Sequence, residues 1–297
     1  MVIEPAAGER RARGVNPARA LVLGFAGIIF VGTLLLALPF AAAPGVDISW
    51  LDALFTATSA VCVTGLAVVN TAEAWSPFGQ AVILILIQVG GLGLMTMSTL
   101  IALLLGKRIT LRERLLIQVS LQEFSLSGLV RLTRYVLLAT LMLEAIGTLI
   151  LTLRFGPEHG WRRGLWLGVF HAVSAFNNAG FDLFGNSLID YVGDVTVIGT
   201  IAGLIMLGGL GFSVLVDLFR WPRVGWRGLS LHSKVVLSAT AALVVVPTLA
   251  ILAFEYNNPA TLAGLGWKNK LLAAFFQAVT PRTAGFNSLA IDGMRAP

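Results

Sequence analysis

Residues 170–181 read Phe-His-Ala-Val-Ser-Ala-Phe-Asn-Asn-Ala-Gly-Phe, and two other stretches of the chain follow the same plan. Residues 55–66 read Phe-Thr-Ala-Thr-Ser-Ala-Val-Cys-Val-Thr-Gly-Leu, and residues 275–286 read Phe-Phe-Gln-Ala-Val-Thr-Pro-Arg-Thr-Ala-Gly-Phe. In each stretch a phenylalanine lies ten residues before a glycine, and the glycines are 115 and 105 residues apart. The repeated unit is therefore a large module rather than a short solenoid repeat.

A second marker recurs with the same order. Gly-Gly-Leu-Gly at residues 90–93 follows the first stretch, and it returns at residues 208–211 after the second. Each stretch predicts a helix of about 12 residues, near 49–60, 164–176 and 268–280, which breaks into extended chain at its glycine. A helix of this length cannot cross a bilayer, which needs about 20 residues.

The composition places the chain in a membrane. Of 297 residues 57% are hydrophobic and 12% are charged, and the mean hydropathy is +0.85. Five apolar stretches are long enough to cross about 30 Å of hydrocarbon. They cover residues 20–38, 78–105, 135–154, 195–219 and 235–254.

The net charge of +6 does not indicate a nucleic-acid partner, because the basic residues lie in short segments between apolar runs. Lysine and arginine concentrate in residues 1–19, 106–134 and 220–234, whereas residues 39–77 contain neither. The positive-inside rule therefore predicts a cytoplasmic N-terminus and outward-facing acidic loops. Acidic side chains in those loops either concentrate cations at an outer mouth or are ordinary solvated charges.

These patterns predict an all-α integral membrane protein built from repeated modules of span, pore helix, filter loop and span. Short helices at membrane depth must be re-entrant, because irregular backbone is tolerated there only beside protein or water. We expect a cytoplasmic arm at 1–19, module 1 at 20–105, an amphipathic link at 106–134, module 2 at 135–219, a link at 220–234 and an incomplete module 3 at 235–297. The link 106–134 would bind either a regulatory partner or interfacial lipid.

The three aligned glycines predict a cation pathway. Glycine reaches backbone dihedrals that turn successive carbonyls toward one axis, and rings of such carbonyls replace the water shell of a potassium ion. A single such glycine would more simply allow a tight turn. Three aligned loops, each after a matched short helix, favour the filter.

At these residues the chain resembles the Trk/Ktr/HKT potassium transporter superfamily, in particular its KtrB-type membrane subunits. The most specific segments are residues 59–66, 175–181 and 280–286, together with the two Gly-Gly-Leu-Gly markers. The resemblance implies four modules around a pseudo-fourfold pore, so the third module here is truncated and the chain is interpreted as part of a longer subunit. It also implies potassium uptake across the bacterial cytoplasmic membrane, with sodium as a stimulating or coupling ion, no cofactor and no enzymatic activity.

The resemblance further implies a homodimer that sits in membrane lipid on a cytosolic ring of nucleotide-binding regulatory subunits. Backbone carbonyls of three filter loops would hold potassium. The first filter loop comprises Cys62, Val63, Thr64 and Gly65, the second Asn177, Asn178, Ala179 and Gly180, and the third Arg282, Thr283, Ala284 and Gly285.

Four side chains need separate interpretation. Cys62 lacks the partners of a nucleophile and is expected to pack behind the filter. His171, on the second short helix, is expected to be packed and hydrogen-bonded rather than a pH sensor. Arg282 should point behind the filter toward a carboxylate or pore-helix carbonyls, because a guanidinium on the axis would repel cations. Glu144, in mid-span, contacts either a buried hydroxyl or the ion path.

The alternative function is a secondary transporter of another cation or a small solute with a midplane site. Such transporters often carry inverted repeats, whereas the modules here all run in the same direction. A membrane-embedded enzyme would need paired catalytic groups within the spans, and Glu144 has no such neighbour in the sequence.

Overall fold

A computed structural model describes residues 17–93 and 129–295, and within those ranges the chain is helical with no β-strand. The only strand-like pairing there is an isolated antiparallel bridge between Ala42 and Trp75. The predicted all-α class is therefore confirmed. Most of the predicted amphipathic link 106–134 lies outside the described residues, as does the arm before residue 17.

The described part of module 1, residues 17–93, contains four helices, and side-chain caps define where the last three begin. Helix α1 is Pro17–Leu36, α2 is Trp50–Val61, α3 is Thr71–Ala74 and α4 is Pro77–Leu92. The short helix α2 begins at a reciprocal capping box in which Ser49 and Asp52 satisfy each other's backbone amides. Helix α4 begins with Pro77 at its first turn, where a missing amide hydrogen costs nothing.

The helix that carries the first apolar span of module 2 begins before that span, which starts at Tyr135. Helix α5 is Leu129–His159, and it is followed after one residue by α6, Trp161–Phe176. The two helices pack closely because a Cβ atom at Gly164 would lie only 2.7 Å from the backbone nitrogen of Gly156. Helix α6 is the predicted short helix of the second repeat.

The predicted span 195–219 is wrong as a single helix. The structure has α7, Val195–Gly209, and α8, Phe212–Val224, which meet at an angle of 111°. The bend lies at Gly211, whose φ of +86° is unfavourable for other residues. Gly211 is the last glycine of the second marker, and its counterpart Gly93 ends α4 with a φ of +77°.

Module 3 contributes α9, Leu231–Glu255, and α10, Trp267–Val279. Helix α9 runs without interruption through Pro247. By length and composition, Tyr135–His159 and Leu231–Glu255 can each cross a membrane, and the bent pair α7–α8 could form a third, broken span. The short helix α10 then leads into the third filter loop.

The buried core lies around the short helices and not along the outer faces of the spans. Its largest fully buried side chains include Phe155, Phe170, Phe181, Phe276 and Phe286. Long apolar side chains on α5 and α9, such as Leu149 and Val246, are instead more than half exposed. An apolar exterior around a dense centre is the arrangement that lipid requires.

Candidate functional site

The structure brings the three repeated glycines into direct contact. A Cβ atom built on Gly180 would lie 3.0 Å from the Cα of Gly285 and 3.3 Å from the Cα of Gly65. The same atom would lie 2.8 Å from the carbonyl oxygen of Ala284, and a Cβ on Gly65 would lie 2.7 Å from that of Ala179. The three filter loops therefore meet through their backbones, with the second loop between the other two.

Each filter loop has the same unusual backbone. The glycines 65, 180 and 285 have φ values of +72°, +71° and +75°, and the residues two positions earlier are also left-handed. These are Val63 (+54°), Asn178 (+56°) and Thr283 (+69°). Left-handed residues alternating with ordinary ones turn successive carbonyls toward the same side, unlike a regular strand. A β-branched residue at positive φ is a strained outlier of the kind that clusters at functional sites.

The carbonyls of the last three residues of each filter loop have no hydrogen-bond donor among the residues that the structure describes. Within the described parts of the chain, no donor reaches the carbonyl oxygens of residues 63–65, 178–180 or 283–285. Asn178, Ala179 and Ala284 are buried, and most buried carbonyls in proteins are paired, so their unpaired oxygens are unusual. Such oxygens are suited to a bare cation. The C-terminal ends of α2, α6 and α10, which lead into the loops, add partial negative charge.

Hydroxyl groups on the short helices hold the loops. Ser174 donates its Oγ hydrogen to the carbonyl of Phe181 at 2.7 Å, and Thr280 makes the same bond to the carbonyl of Phe286. In the first loop, the Thr64 hydroxyl lies 3.0 Å from the Ser59 hydroxyl. The second and third loops are tied together by bonds from Leu188 N to the Asn287 carbonyl and from Asn287 N to Ser187 Oγ, both 2.8 Å.

The third loop departs from the other two. Ser59 and Ser174 precede their glycines by six residues, whereas Thr280 precedes Gly285 by five. Helix α10 ends at Val279, two residues before Pro281, and proline cannot donate a helical hydrogen bond. The amide of Ala284 therefore bonds to the Thr280 carbonyl at 3.0 Å, where Ala179 uses the Ser174 carbonyl at 2.7 Å.

The Gly-Gly-Leu-Gly markers let the second spans approach the pore helices. A Cβ atom on Gly90 would lie 2.1 Å from the carbonyl oxygen of Val61, and one on Gly208 would lie 1.7 Å from that of Phe176. Val61 and Phe176 are the last residues of α2 and α6. The first glycine of each marker is thus needed for contact with the pore helix of its own module.

The second glycine of each marker faces the next module. A Cβ on Gly91 would lie 2.0 Å from Asn177 Oδ1, and one on Gly209 would lie 3.9 Å from Arg282 Nη2. Asn177 and Arg282 occupy the same position in successive filter loops. The contact between adjacent modules is therefore repeated around the loop cluster.

A cavity of about 670 Å³ separates the first and third loops, which do not share the close contact that each makes with the second. Its walls include Cys62, Thr64, Gly65, Thr283 and Gly285. Cys62 is exposed there, so the expectation that its thiol packs behind the filter is wrong. The residue borders the open side of the cluster.

Arg282 and His171 differ in how far they match expectation. The Arg282 guanidinium reaches toward Gly209 of α7, but its Nη1 is buried with no hydrogen-bond partner among the residues described. The expected carboxylate is not found there. His171 is fully buried. Its Nδ1 donates a hydrogen bond to the Leu167 carbonyl oxygen, 2.8 Å away, and its Nε2 accepts one from the backbone amide of Leu183. It is a packed, hydrogen-bonded histidine.

The outer acids have structural partners. Asp194 caps α7 and pairs with Arg154, and Asp52 caps α2. Asp182 accepts from the amides of Phe184 and Gly185, while Asp190 accepts from Asn186 Nδ2. Local structure therefore accounts for these four carboxylates.

Glu144 is buried and bonded to two amides, not to a hydroxyl as one alternative supposed. Its carboxylate accepts hydrogen bonds from Gln88 Nε2 and Asn177 Nδ2, both at 3.2 Å. Sequence reasoning missed Gln88, although a polar residue two positions before Gly90 in an apolar span was a usable signal. It also missed the left-handed Val63 and Thr283, for which residue type gives no warning.

Comparison with known families defines the class of protein to which this architecture belongs. Residues 29–296 match the TrkH family, described as "Cation transport protein". The chain belongs to this family. Together with its long apolar helices, that membership makes it a multi-pass membrane protein.

Among its relatives, the chain is 47% identical to "Ktr system potassium uptake protein B" of Bacillus subtilis, over 94% of this chain and 62% of that protein. It is 41% identical to the protein of the same name in Vibrio alginolyticus and to "Potassium/sodium uptake protein NtpJ" of Enterococcus hirae, over 97% and 95% of this chain. The chain spans 62% of the length of each of these relatives.

A solved structure shares the fold. The potassium transporter TrkH from Vibrio parahaemolyticus aligns with a TM-score of 0.62 and 16% sequence identity, covering 95% of this chain and 54% of that one. At this identity the likeness concerns the fold alone. It agrees with the all-helical architecture described above.

Proposed function

We propose that this chain forms most of a potassium uptake pathway across the bacterial cytoplasmic membrane, in which the carbonyls of three filter loops hold dehydrated potassium ions. The observation that carries the proposal is the paired left-handed backbone in all three loops. It accompanies nine carbonyl oxygens that lack hydrogen bonds within the described residues. Rings of such oxygens replace an ion's water shell.

The open side of the loop cluster supports a pseudo-fourfold arrangement. Loops one and three each touch loop two, and a cavity of about 670 Å³ lies between them. A fourth loop, contributed by a further module, would fill this place and complete the ring of oxygens. The longer relatives named above have room for such a module.

Orientation and assembly belong to the same proposal. The basic segments 1–19, 106–134 and 220–234 would face the cytoplasm, and the N-terminus with them. The word "system" in the names of the Ktr relatives indicates other components. We propose that this chain forms a homodimer on a cytosolic nucleotide-binding ring. The name "Potassium/sodium uptake protein" of the Enterococcus hirae relative supports a stimulating or coupling role for sodium.

The proposal is tested by expressing the complete gene in a bacterium that lacks its own potassium uptake systems. Gly180→Ser would place its Cβ within 3.0 Å of Gly285 at a φ of +71°, so growth at low potassium should be lost. Growth at high potassium should be unchanged. Gly199→Ser, on α7 with nothing within 4 Å of its Cβ, is the matched control and should grow like wild type.

Uptake of Rb⁺ and Na⁺ separates a filter defect from misfolding. If Gly180→Ser is present in the membrane at the wild-type level, its Rb⁺ uptake should fall relative to Na⁺ uptake. If that protein is missing from the membrane, the milder Gly285→Ala, whose Cβ meets only Gly180, serves in its place. A membrane-resident variant with wild-type Rb⁺ uptake and selectivity would overturn the filter and favour a secondary transporter with its site elsewhere.

A further inference from the structure

The strongest unassigned feature is a polar cluster of Gln88, Glu144 and Asn177 at the boundary between modules 1 and 2. Glu144 is 5% exposed, although it lies in the middle of the apolar helix α5. The two ion pairs found in the described part of the chain both use Arg154, so Glu144 has no cationic partner there. An ionisable side chain at this depth is costly and marks a functional position.

We propose that Glu144 is a positioning residue that fixes the side chain of Asn177, and through it the first layer of the second filter loop. This inference rests on the function proposed above. Asn177 is the C-cap residue directly after α6 and the first residue of the second filter loop. The carboxylate, on a different helix, accepts a hydrogen bond from its amide at 3.2 Å.

The Asn177 side chain is fixed from three further directions. Its Nδ2 also lies 3.1 Å from Gln88 Oε1 and 2.9 Å from the Val173 carbonyl oxygen. Its Oδ1 occupies the space that a Cβ on Gly91 would need, at 2.0 Å. Turning the amide over would point Oδ1 at the Glu144 carboxylate, and two acceptors would then face each other.

Gln88 forms hydrogen bonds with both Glu144 and Asn177. Its Nε2 donates to one oxygen of Glu144, while its Oε1 accepts from Asn177. Each carboxylate oxygen therefore has one amide donor. The Asn177 amide has two hydrogens for three nearby acceptors, Gln88 Oε1, Glu144 Oε1 and the Val173 carbonyl oxygen. The three side chains thus form a buried polar network that joins α4, α5 and the second filter loop.

The cluster is specific to this module boundary. The residues 36 positions before Gly65 and Gly285 are Ile29 and Leu249, where Glu144 stands 36 before Gly180. Met206 takes the place of Gln88 in the second marker helix. Because the other boundary lacks both polar partners, the second loop has a side-chain clamp that the repeat itself does not supply.

The clamp is tested by the Rb⁺/Na⁺ uptake ratio and the KM for Rb⁺, measured with the complete protein in the same bacterium. Glu144→Gln keeps the shape of the side chain but turns a donor toward an amide, so we expect about a tenfold loss of selectivity. Asn177→Asp should lose at least as much, because two carboxylates then face each other. Thr140→Val, one turn away at a buried hydroxyl without partners among the residues described, is the control and should match wild type.

The double variant Glu144→Gln with Asn177→Asp separates positioning from charge. It places an amide opposite a carboxylate with the roles exchanged, so the like-charge contact of Asn177→Asp is removed. Positioning through this contact predicts that the double variant recovers part of the selectivity lost by Asn177→Asp. A double variant no better than Asn177→Asp alone, or a Glu144→Gln protein with wild-type selectivity and KM, would overturn the inference.

Two further variants keep the result interpretable. If Glu144→Gln is not found in the membrane, Gln88→Met removes one donor and introduces the residue found at position 206, and it should show the same loss. Gly180→Ser is measured alongside. If Gly180→Ser keeps wild-type selectivity, the proposal that these loops form a filter is wrong. If Gly180→Ser loses selectivity but the Glu144 and Gln88 variants do not, only the proposed role of Glu144 is refuted.

Discussion

At the scale of single residues, the filter loops contain strained backbone conformations that cannot be predicted from the type of side chain. Val63 and Thr283 are β-branched, and both have positive φ. Such a conformation costs a non-glycine residue roughly 1–2 kcal/mol. The cost is tolerated because hydroxyl bonds and neighbouring backbones hold each loop from both sides.

Replacing Val63 with glycine therefore tests the strain. Glycine adopts the φ of +54° freely, but it makes the unfolded chain more flexible by about 0.5–1 kcal/mol. The Val63 side chain is also partly buried against the core, so relief of about 1–2 kcal/mol of strain offsets two costs, and Val63→Gly should destabilise the protein by no more than about 1 kcal/mol. The measurement is the apparent Tm of the detergent-purified protein, determined by size-exclusion chromatography of samples heated to a series of temperatures.

Val61→Gly is the contrasting variant two residues away. Val61 is 1% exposed at the end of α2, so glycine there removes a buried side chain and should cost about 2–4 kcal/mol. Equal losses of Tm in the two variants would show that Val63 is not strained. The sequence indicated the positions of the glycines, because glycine is the residue expected at positive φ. It did not indicate the positive φ of Val63 and Thr283, because valine and threonine rarely adopt it.

At the scale of helices, the sequence was most informative where the repeat placed a short helix before each filter glycine. The short helices expected near 49–60, 164–176 and 268–280 are observed at Trp50–Val61, Trp161–Phe176 and Trp267–Val279. The bend between α7 and α8 was not foreseen, because hydropathy alone continues smoothly across Gly211. Its glycine was recognised as part of a repeat, but a repeat does not reveal a dihedral angle.

The contact between α7 and the end of α6 gives a prediction at this scale. Gly208→Ala would place a Cβ atom 1.7 Å from the Phe176 carbonyl oxygen, so the helix must move away from the second filter loop. We expect a loss of about 1–3 kcal/mol or more of stability, together with reduced Rb⁺ uptake. The apparent Tm and Rb⁺ uptake are measured on the same preparation.

Gly203→Ala is the matched control on the same helix. Nothing lies within 4 Å of a Cβ at that position, and alanine is a better helix former by about 1 kcal/mol. It should be as stable as wild type or more so, with normal uptake. If Gly208→Ala is equally well tolerated, the close approach of α7 to the pore helix is not what the marker glycine provides.

At the scale of the whole molecule, the repeat allowed the meeting of the three glycines to be anticipated. Residues 65, 180 and 285 are far apart in the chain, and only their shared pattern linked them before their backbones were seen to touch. The polar clamp at Glu144 could not be found in this way, because Gln88 and Asn177 come from different modules. Gln88 and Glu144 have only apolar counterparts in the other modules, Met206 for Gln88 and Ile29 and Leu249 for Glu144, so no repeated contact marked them.

The orientation of the molecule supplies the last prediction. Glu73, on α3, and Arg227, beyond α8, are both exposed and belong to segments that the charge distribution assigns to opposite sides. With Cys62 replaced by alanine and any other native cysteine removed from the complete protein, we expect a membrane-impermeant maleimide to label Glu73→Cys on intact cells. Arg227→Cys should be labelled only after the cells are permeabilised, which is the control for its reactivity. Labelling of Arg227→Cys on intact cells, with Glu73→Cys protected, would reverse the topology and place the basic links outside, where the filter loops could not open toward incoming potassium.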